Sequence, residues 1–152
     1  MIKKVVLWGL GNPILGDDAA GSALIEKIRP LSPEWLEPVA CDTVPENFLS
    51  PLRQLHPDLL IIVDAADMGL PGGEYRKMEL QDFSNISFTT HGMPLDLILQ
   101  DFLPHMRIIA IGIQPVSREP SLQISEKVLK GLLEIAEMIL SGKCEEIQPL
   151  LP

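Results

Sequence analysis

The sequence predicts an α/β fold, a three-layer sandwich built on a mostly parallel, twisted sheet of about five strands. One strand is expected at an antiparallel edge, and helices are expected on both faces. Three observations carry this. Leu59-Leu60-Ile61-Ile62-Val63 is an unbroken apolar run of strand length, as expected for a parallel strand buried on both faces. Segments with strand and helix character alternate along the chain. The length of 152 residues, with 46% apolar and 22% charged side chains, suits one domain around one core.

The elements follow in order. Val5 to Trp8 is a β-prone run cut off by glycines and reads as a buried first strand. Ala20, Leu24, Ile25 and Ile28 have helical spacing, and that helix ends before Pro30. Val39 to Thr43 reads as a second strand, with Thr43 as the cap of a helix from Pro45 to Leu55. The third strand, from Leu59, ends at Asp64. Gly69 to Gly73 makes a turn into an edge strand over Glu74 to Leu80. Pro94 to Leu103 reads as a helix and Arg107 to Ile113 as another buried strand. A last helix, Ser125 to Leu140, stops at Gly142. The domain therefore spans 1–142, and 143–152 reads as a loose acidic tail.

A net charge of −9 argues against nucleic acid, whose binders present a basic face. No stretch is long and apolar enough to span a membrane, and the N-terminal apolar run stops too early for a secretory signal. Cys41 and Cys144 share no redox or metal-binding spacing. The expectation is a cytoplasmic protein, monomeric in isolation, with no nucleic-acid or membrane partner.

Asp18, Asp64 and His91 are far apart in sequence, yet the topology converges them. Asp64 ends its strand, and Asp18 follows the first strand at the mouth of the next helix. His91 precedes the helix that descends to the strand at Arg107. All three fall at the carboxyl edge of the sheet, where open α/β folds bind ligands. Two carboxylates and an imidazole suit a first-row divalent ion. Each residue also has a plainer role. Asp17 or Asp18 suits the N-cap of the first helix, Asp64 a loop or turn, and His91 an ordinary loop. Asp67, Glu46, His56 and His105 lack such convergence and read as structural or solvated. Gly9-Leu10-Gly11 follows a strand as a dinucleotide fingerprint does, but Ile14 stands where its third glycine belongs.

Gly9-Leu10-Gly11-Asn12-Pro13-Ile14-Leu15-Gly16-Asp17-Asp18-Ala19-Ala20-Gly21 resembles the opening motif of the [NiFe]-hydrogenase maturation endopeptidases. Val63-Asp64-Ala65-Ala66-Asp67-Met68-Gly69 and Thr89-Thr90-His91-Gly92-Met93-Pro94-Leu95 resemble their second and third motifs. Pro45-Glu46-Asn47 and Ile111-Gly112-Ile113-Gln114-Pro115 match the hydrogenase-3-like branch. Ala19 departs from the glycine common there.

The resemblance implies an aspartate-dependent protease that removes the C-terminal extension of a nickel-loaded large-subunit precursor. Asp18, Asp64 and His91 are then the nickel ligands and catalytic residues. The nickel is supplied by the substrate, and zinc or cadmium can fill the same site in vitro. No Ser-His-Asp or Cys-His set points to an acyl-enzyme. Two other readings stand beside this one. A non-enzymatic nickel chaperone would need the same ligands. A peptidyl-tRNA hydrolase shares Gly-Leu-Gly-Asn-Pro, but Ile14 to Gly21 lacks the tyrosine that follows in that family.

Overall fold

Two separate apolar cores, one on each side of a single sheet, account for the alternation of strands and helices. The computed structural model describes residues 4–85, 87–88 and 94–151. The strands are β1 (Val5–Leu10), β2 (Leu36–Asp42), β3 (Leu59–Asp67), β4 (Tyr75–Glu79), β5 (Ser87–Phe88) and β6 (Arg107–Ile113). Their order is β2-β1-β3-β6-β4, with β5 pairing to the end of β3. β2, β1, β3 and β6 are mutually parallel, whereas β4 runs antiparallel to β6.

The strand period of two divides each apolar run between the two faces. Leu7, Ile61 and Ile109 point into one core, with Leu24 and Ile25 of α1 (Ala20–Ile28) and Val128 and Leu132 of α4 (Glu126–Leu140). Trp8, Leu60, Ile62 and Ala110 point into the other. There they meet Leu52 of α2 (Leu49–Leu55) and Leu95 and Leu99 in and after α3 (Leu95–Ile98). Among the described residues, no helix is long and apolar enough to cross a membrane.

The structure departs from the sequence reading in several places. β2 begins at Leu36, earlier than Val39. The helix expected over 45–55 is a 3-10 turn, Pro45–Phe48, followed by α2. Pro51 has no N–H to donate to Asn47, so an α-helical ladder cannot run through from Pro45. Val44, not Thr43, stands at the N-cap of that turn, and no side chain caps it. The helix expected over 94–103 is two short turns, Leu95–Ile98 and Gln100–Phe102, docked through Leu95, Leu99 and Phe102.

Residues 143–151 are docked rather than loose. Cys144 and Ile147 are buried in the first core, while Leu150 packs against the second. The Lys77 N–H donates to the Gln148 carbonyl at 2.9 Å, and the Leu150 N–H donates to the Lys77 carbonyl at 2.8 Å. Arg107 pairs with both Glu79 and Glu145. The apolar spacing of Cys144, Ile147 and Leu150 is what the acidic composition concealed.

Candidate functional site

β1 leads directly into the acidic pair. The segment Gly16–Ala19 forms a 3-10 turn, and α1 follows at once. This start is pressed against the sheet. A Cβ on Gly21 would collide with the backbone of Leu10 and with the Val63 carbonyl. Glycine there lets α1 begin at the carboxyl ends of β1 and β3. The Asp18 carbonyl accepts the Asn12 N–H at 3.0 Å, which fixes Asp18 beside the glycine turn that ends β1. Asp64 lies near the end of β3, opposite Gly112 of β6, and the 3-10 turn packs against β3. Asp18 and Asp64 thus sit at the same edge, 7% and 0% exposed.

Asp17 does not cap the first helix. Leu15 and Ala19 occupy the N-cap positions of the 3-10 turn and of α1, and neither end has a side-chain cap. The Asp17 carboxylate, 1% exposed, turns instead to the segment after β6. It accepts the N–H groups of Val116 at 2.8 Å, Ser117 at 2.9 Å and Ser125 at 2.7 Å. The Ser125 hydroxyl adds a fourth bond at 2.8 Å. Ser125 is the N-cap of α4, so one buried carboxylate ties the first loop to the last helix. The two loops are also joined through backbone. Gly16 donates to the Ser121 carbonyl at 2.8 Å, and Ser121 donates to the Ile14 carbonyl at 3.1 Å. Gly16 has φ +58°, and a Cβ on it would meet the Glu119 carbonyl at 2.9 Å.

Two residues that sequence reading did not assign belong to this edge. Arg118, on the loop held by Asp17, places Nε 3.8 Å from Asp18 Oδ1 while its own side chain is 43% exposed. Gln114, 8% exposed, follows β6. Its side-chain carbonyl accepts the N–H groups of Met68 at 2.6 Å and Leu70 at 3.3 Å. Its amide donates to Asp67 Oδ1 at 3.2 Å. A polar side chain ending an apolar run was the available signal, the same one that marked Asp64.

The Gln114 amide, then the Gly69 N–H, holds the Asp67 carboxyl below its ordinary pKa, with the Arg118 charge adding to the effect. A lowered folded-state pKa contributes stability that is complete above about pH 4. That contribution is lost as pH falls through the folded value. Gln114→Ala is expected to flatten this acid-side loss, measured by urea unfolding across pH 2 to 6. At neutral pH it should cost about 1–2 kcal/mol through the lost bonds to Met68 and Leu70.

His91 lies outside the described residues. The chain enters that stretch from β5, which pairs with Ala66 and Asp67, and re-emerges before α3. Among the described residues there is no cluster of three or more His, Cys, Asp or Glu side chains able to hold a metal. Of the three expected ligands, the described chain supplies Asp18 and Asp64. Glu46 sits in the 3-10 turn before α2, and His56 ends α2 in a left-handed conformation. His105 lines a cavity of about 890 Å³ at the amino edge, beside Asp58 and Arg107 and away from the acidic pair. Cys41 and Cys144 are both buried free thiols, and burial pushes both pKa values up, so neither suits a nucleophile.

Comparison with known proteins gives one answer. The family model for HycI, described as a hydrogenase maturation protease, matches residues 33–142. The chain is 38% identical over 112 residues to the hydrogenase 3 maturation protease of Escherichia coli, covering 72% of each. It superposes on the solution structure of the endopeptidase HycI from Escherichia coli with a TM-score of 0.87, at 30% identity and 97% coverage of both chains. A HycI [NiFe] hydrogenase maturation protease from Thermococcus kodakarensis matches with a TM-score of 0.83 at 27% identity, covering 93% of this chain and 92% of that one. The chain belongs to the hydrogenase maturation proteases, in their hydrogenase-3-like branch, and is an endopeptidase of hydrogenase maturation.

Proposed function

We propose that this endopeptidase removes the C-terminal extension of a [NiFe]-hydrogenase large-subunit precursor and recognises the nickel already seated in it through Asp18, Asp64 and His91. The observation that carries the reading is the pair of buried carboxylates at one sheet edge, Asp18 and Asp64. Their oxygens suit a divalent ion, and an imidazole completes a borderline donor set. Asp18, Asp64 and His91 would hold an ion presented there by the substrate. Such an ion would supply Lewis-acid chemistry, polarising the scissile carbonyl or lowering the pKa of a bound water. The inert, buried cysteines leave no reactive thiol to serve as a nucleophile.

The surroundings suit a folded partner. Ile14, Val116 and Leu122 stand exposed on the two loops that Asp17 and the backbone join. Exposed apolar side chains around an acidic edge fit a protein surface laid across it. The cytoplasm, where such a precursor would be assembled, is the proposed compartment.

The test compares nickel-loaded and nickel-free precursor by mass spectrometry. Nickel-loaded precursor should lose its extension, and nickel-free precursor should remain intact. Equal cleavage of both would remove nickel from the recognition step. The purified protease should hold little metal, because three ligands with open positions make an incomplete cage. A stoichiometric, tightly held ion would make the metal its own cofactor instead.

A further inference from the structure

We propose that Arg118 is a tethered counter-cation, which occupies the face of Asp18 in the free enzyme and must yield when the substrate's ion arrives. The inference rests on the reading of Asp18 as a ligand for that ion. Two independent features support it. The first is the ion pair, with Arg118 Nε 3.8 Å from the buried Asp18 Oδ1. The second is the fixation of the loop that carries Arg118. Asp17 takes the backbone N–H groups of Val116 and Ser117, and Ser121 exchanges backbone bonds with Ile14 and Gly16. The neighbouring carboxylates therefore do different work on one loop. Asp17 sets where the loop lies, and Asp18 receives the guanidinium that the loop delivers.

The chemistry gives this contact a consequence. A guanidinium keeps its charge at every working pH, so it cannot step aside by losing a proton. A free divalent ion approaching Asp18 meets that positive charge at close range, where repulsion is strong. An ion anchored in a folded precursor arrives with the binding energy of the whole protein contact behind it. The Arg118 side chain is 43% exposed and can swing outward without unpacking the core. Arg118 thus acts as a specificity determinant, biasing the site against loose metal and towards metal presented by a partner.

The test uses nickel ions alone, titrated calorimetrically into the purified, untagged full chain. Wild type is compared with Arg118→Gln, Arg118→Lys, Asp18→Asn and the Arg118→Gln/Asp18→Asn double variant. Arg118→Gln should bind nickel about tenfold more tightly than wild type, the size expected for removing one nearby positive charge. Arg118→Lys, which keeps the charge, should stay near the wild-type affinity. The tenfold gain should vanish in the Asp18→Asn background. Melting curves of each variant check that the fold is intact.

Unchanged or weaker nickel binding by Arg118→Gln, while Asp18→Asn still loses affinity, would overturn the counter-cation role and leave the ligand assignment standing. A gain that persists without the Asp18 charge would overturn it too. If Asp18→Asn binds nickel and cleaves precursor like wild type, the ligand assignment itself fails. Slower processing by Arg118→Gln with unaltered nickel affinity would make Arg118 a substrate contact instead, again against the proposal.

Discussion

Asp64→Asn is expected to reduce precursor processing by at least about a hundredfold, roughly 2.7 kcal/mol of lost transition-state stabilisation, while melting within a few degrees of wild type. Asp18→Asn and His91→Ala should fall to a similar level. The expectation for Asp64 follows from its place. It is wholly buried near the end of β3, with apolar Ala65 and Ala66 following it. Asparagine keeps the shape of the side chain and one acceptor oxygen, so the substitution tests charge and ligation rather than packing. A single-turnover assay on nickel-loaded precursor, paired with a thermal melt, separates the two effects. Near-normal cleavage by Asp64→Asn would remove it from the reaction.

The neighbouring residue should give the opposite pattern. Asp17→Ala leaves the N–H groups of Val116, Ser117 and Ser125 and the Ser125 hydroxyl without their shared acceptor. Leaving a buried donor without its acceptor costs about 1–3 kcal/mol, so losing the shared carboxylate of several donors is expected to cost about 3–5 kcal/mol in all. For a chain of this size that lowers the melting temperature on the order of 10 °C. This exceeds the cost of losing a simple helix cap, about 0.5–2 kcal/mol. Asp17→Asn keeps one acceptor oxygen and should fall between wild type and alanine. Below its melting temperature it should retain measurable cleavage, whereas Asp18→Asn should not. Loss of cleavage by Asp17→Asn together with its retention by Asp18→Asn would shift the ligand assignment by one residue.

β1, β3 and β6 were readable because they are almost purely apolar, as strands of a parallel sheet covered on both faces tend to be. The half-exposed border strand β2 was read short. The edge strand after Gly73 was readable from turn chemistry, and the carboxyl edge from strand direction alone. What escaped the sequence was contact across long separations. The bond from Ser125 to Asp17 spans 108 residues, and nothing local marks either partner for the other. Asp17 looked like a cap because aspartate before a helix usually is one. The tail looked loose because charges and prolines dominate it, although Cys144, Ile147 and Leu150 carry its burial. Gln114 and Arg118 illustrate the two limits. The first had a visible signal, a polar side chain closing an apolar run. The second had none, since a loop arginine gains meaning only from the carboxylate it meets.

The docked tail also bears on how the protein behaves at high concentration. Beyond β6, the last strand of the sheet is β4, and its outer side would offer free backbone donors and acceptors to any passing chain. Lys77, in the middle of that strand, instead gives its N–H to Gln148 and takes that of Leu150. The tail closes this side with its own backbone, and Pro149, lacking an N–H, is a poor template for further pairing. At the other end of the sheet, β2 carries Pro38 within the strand, which blunts that side in the same way. Strand addition is therefore disfavoured at Lys77 on one border and at Pro38 on the other.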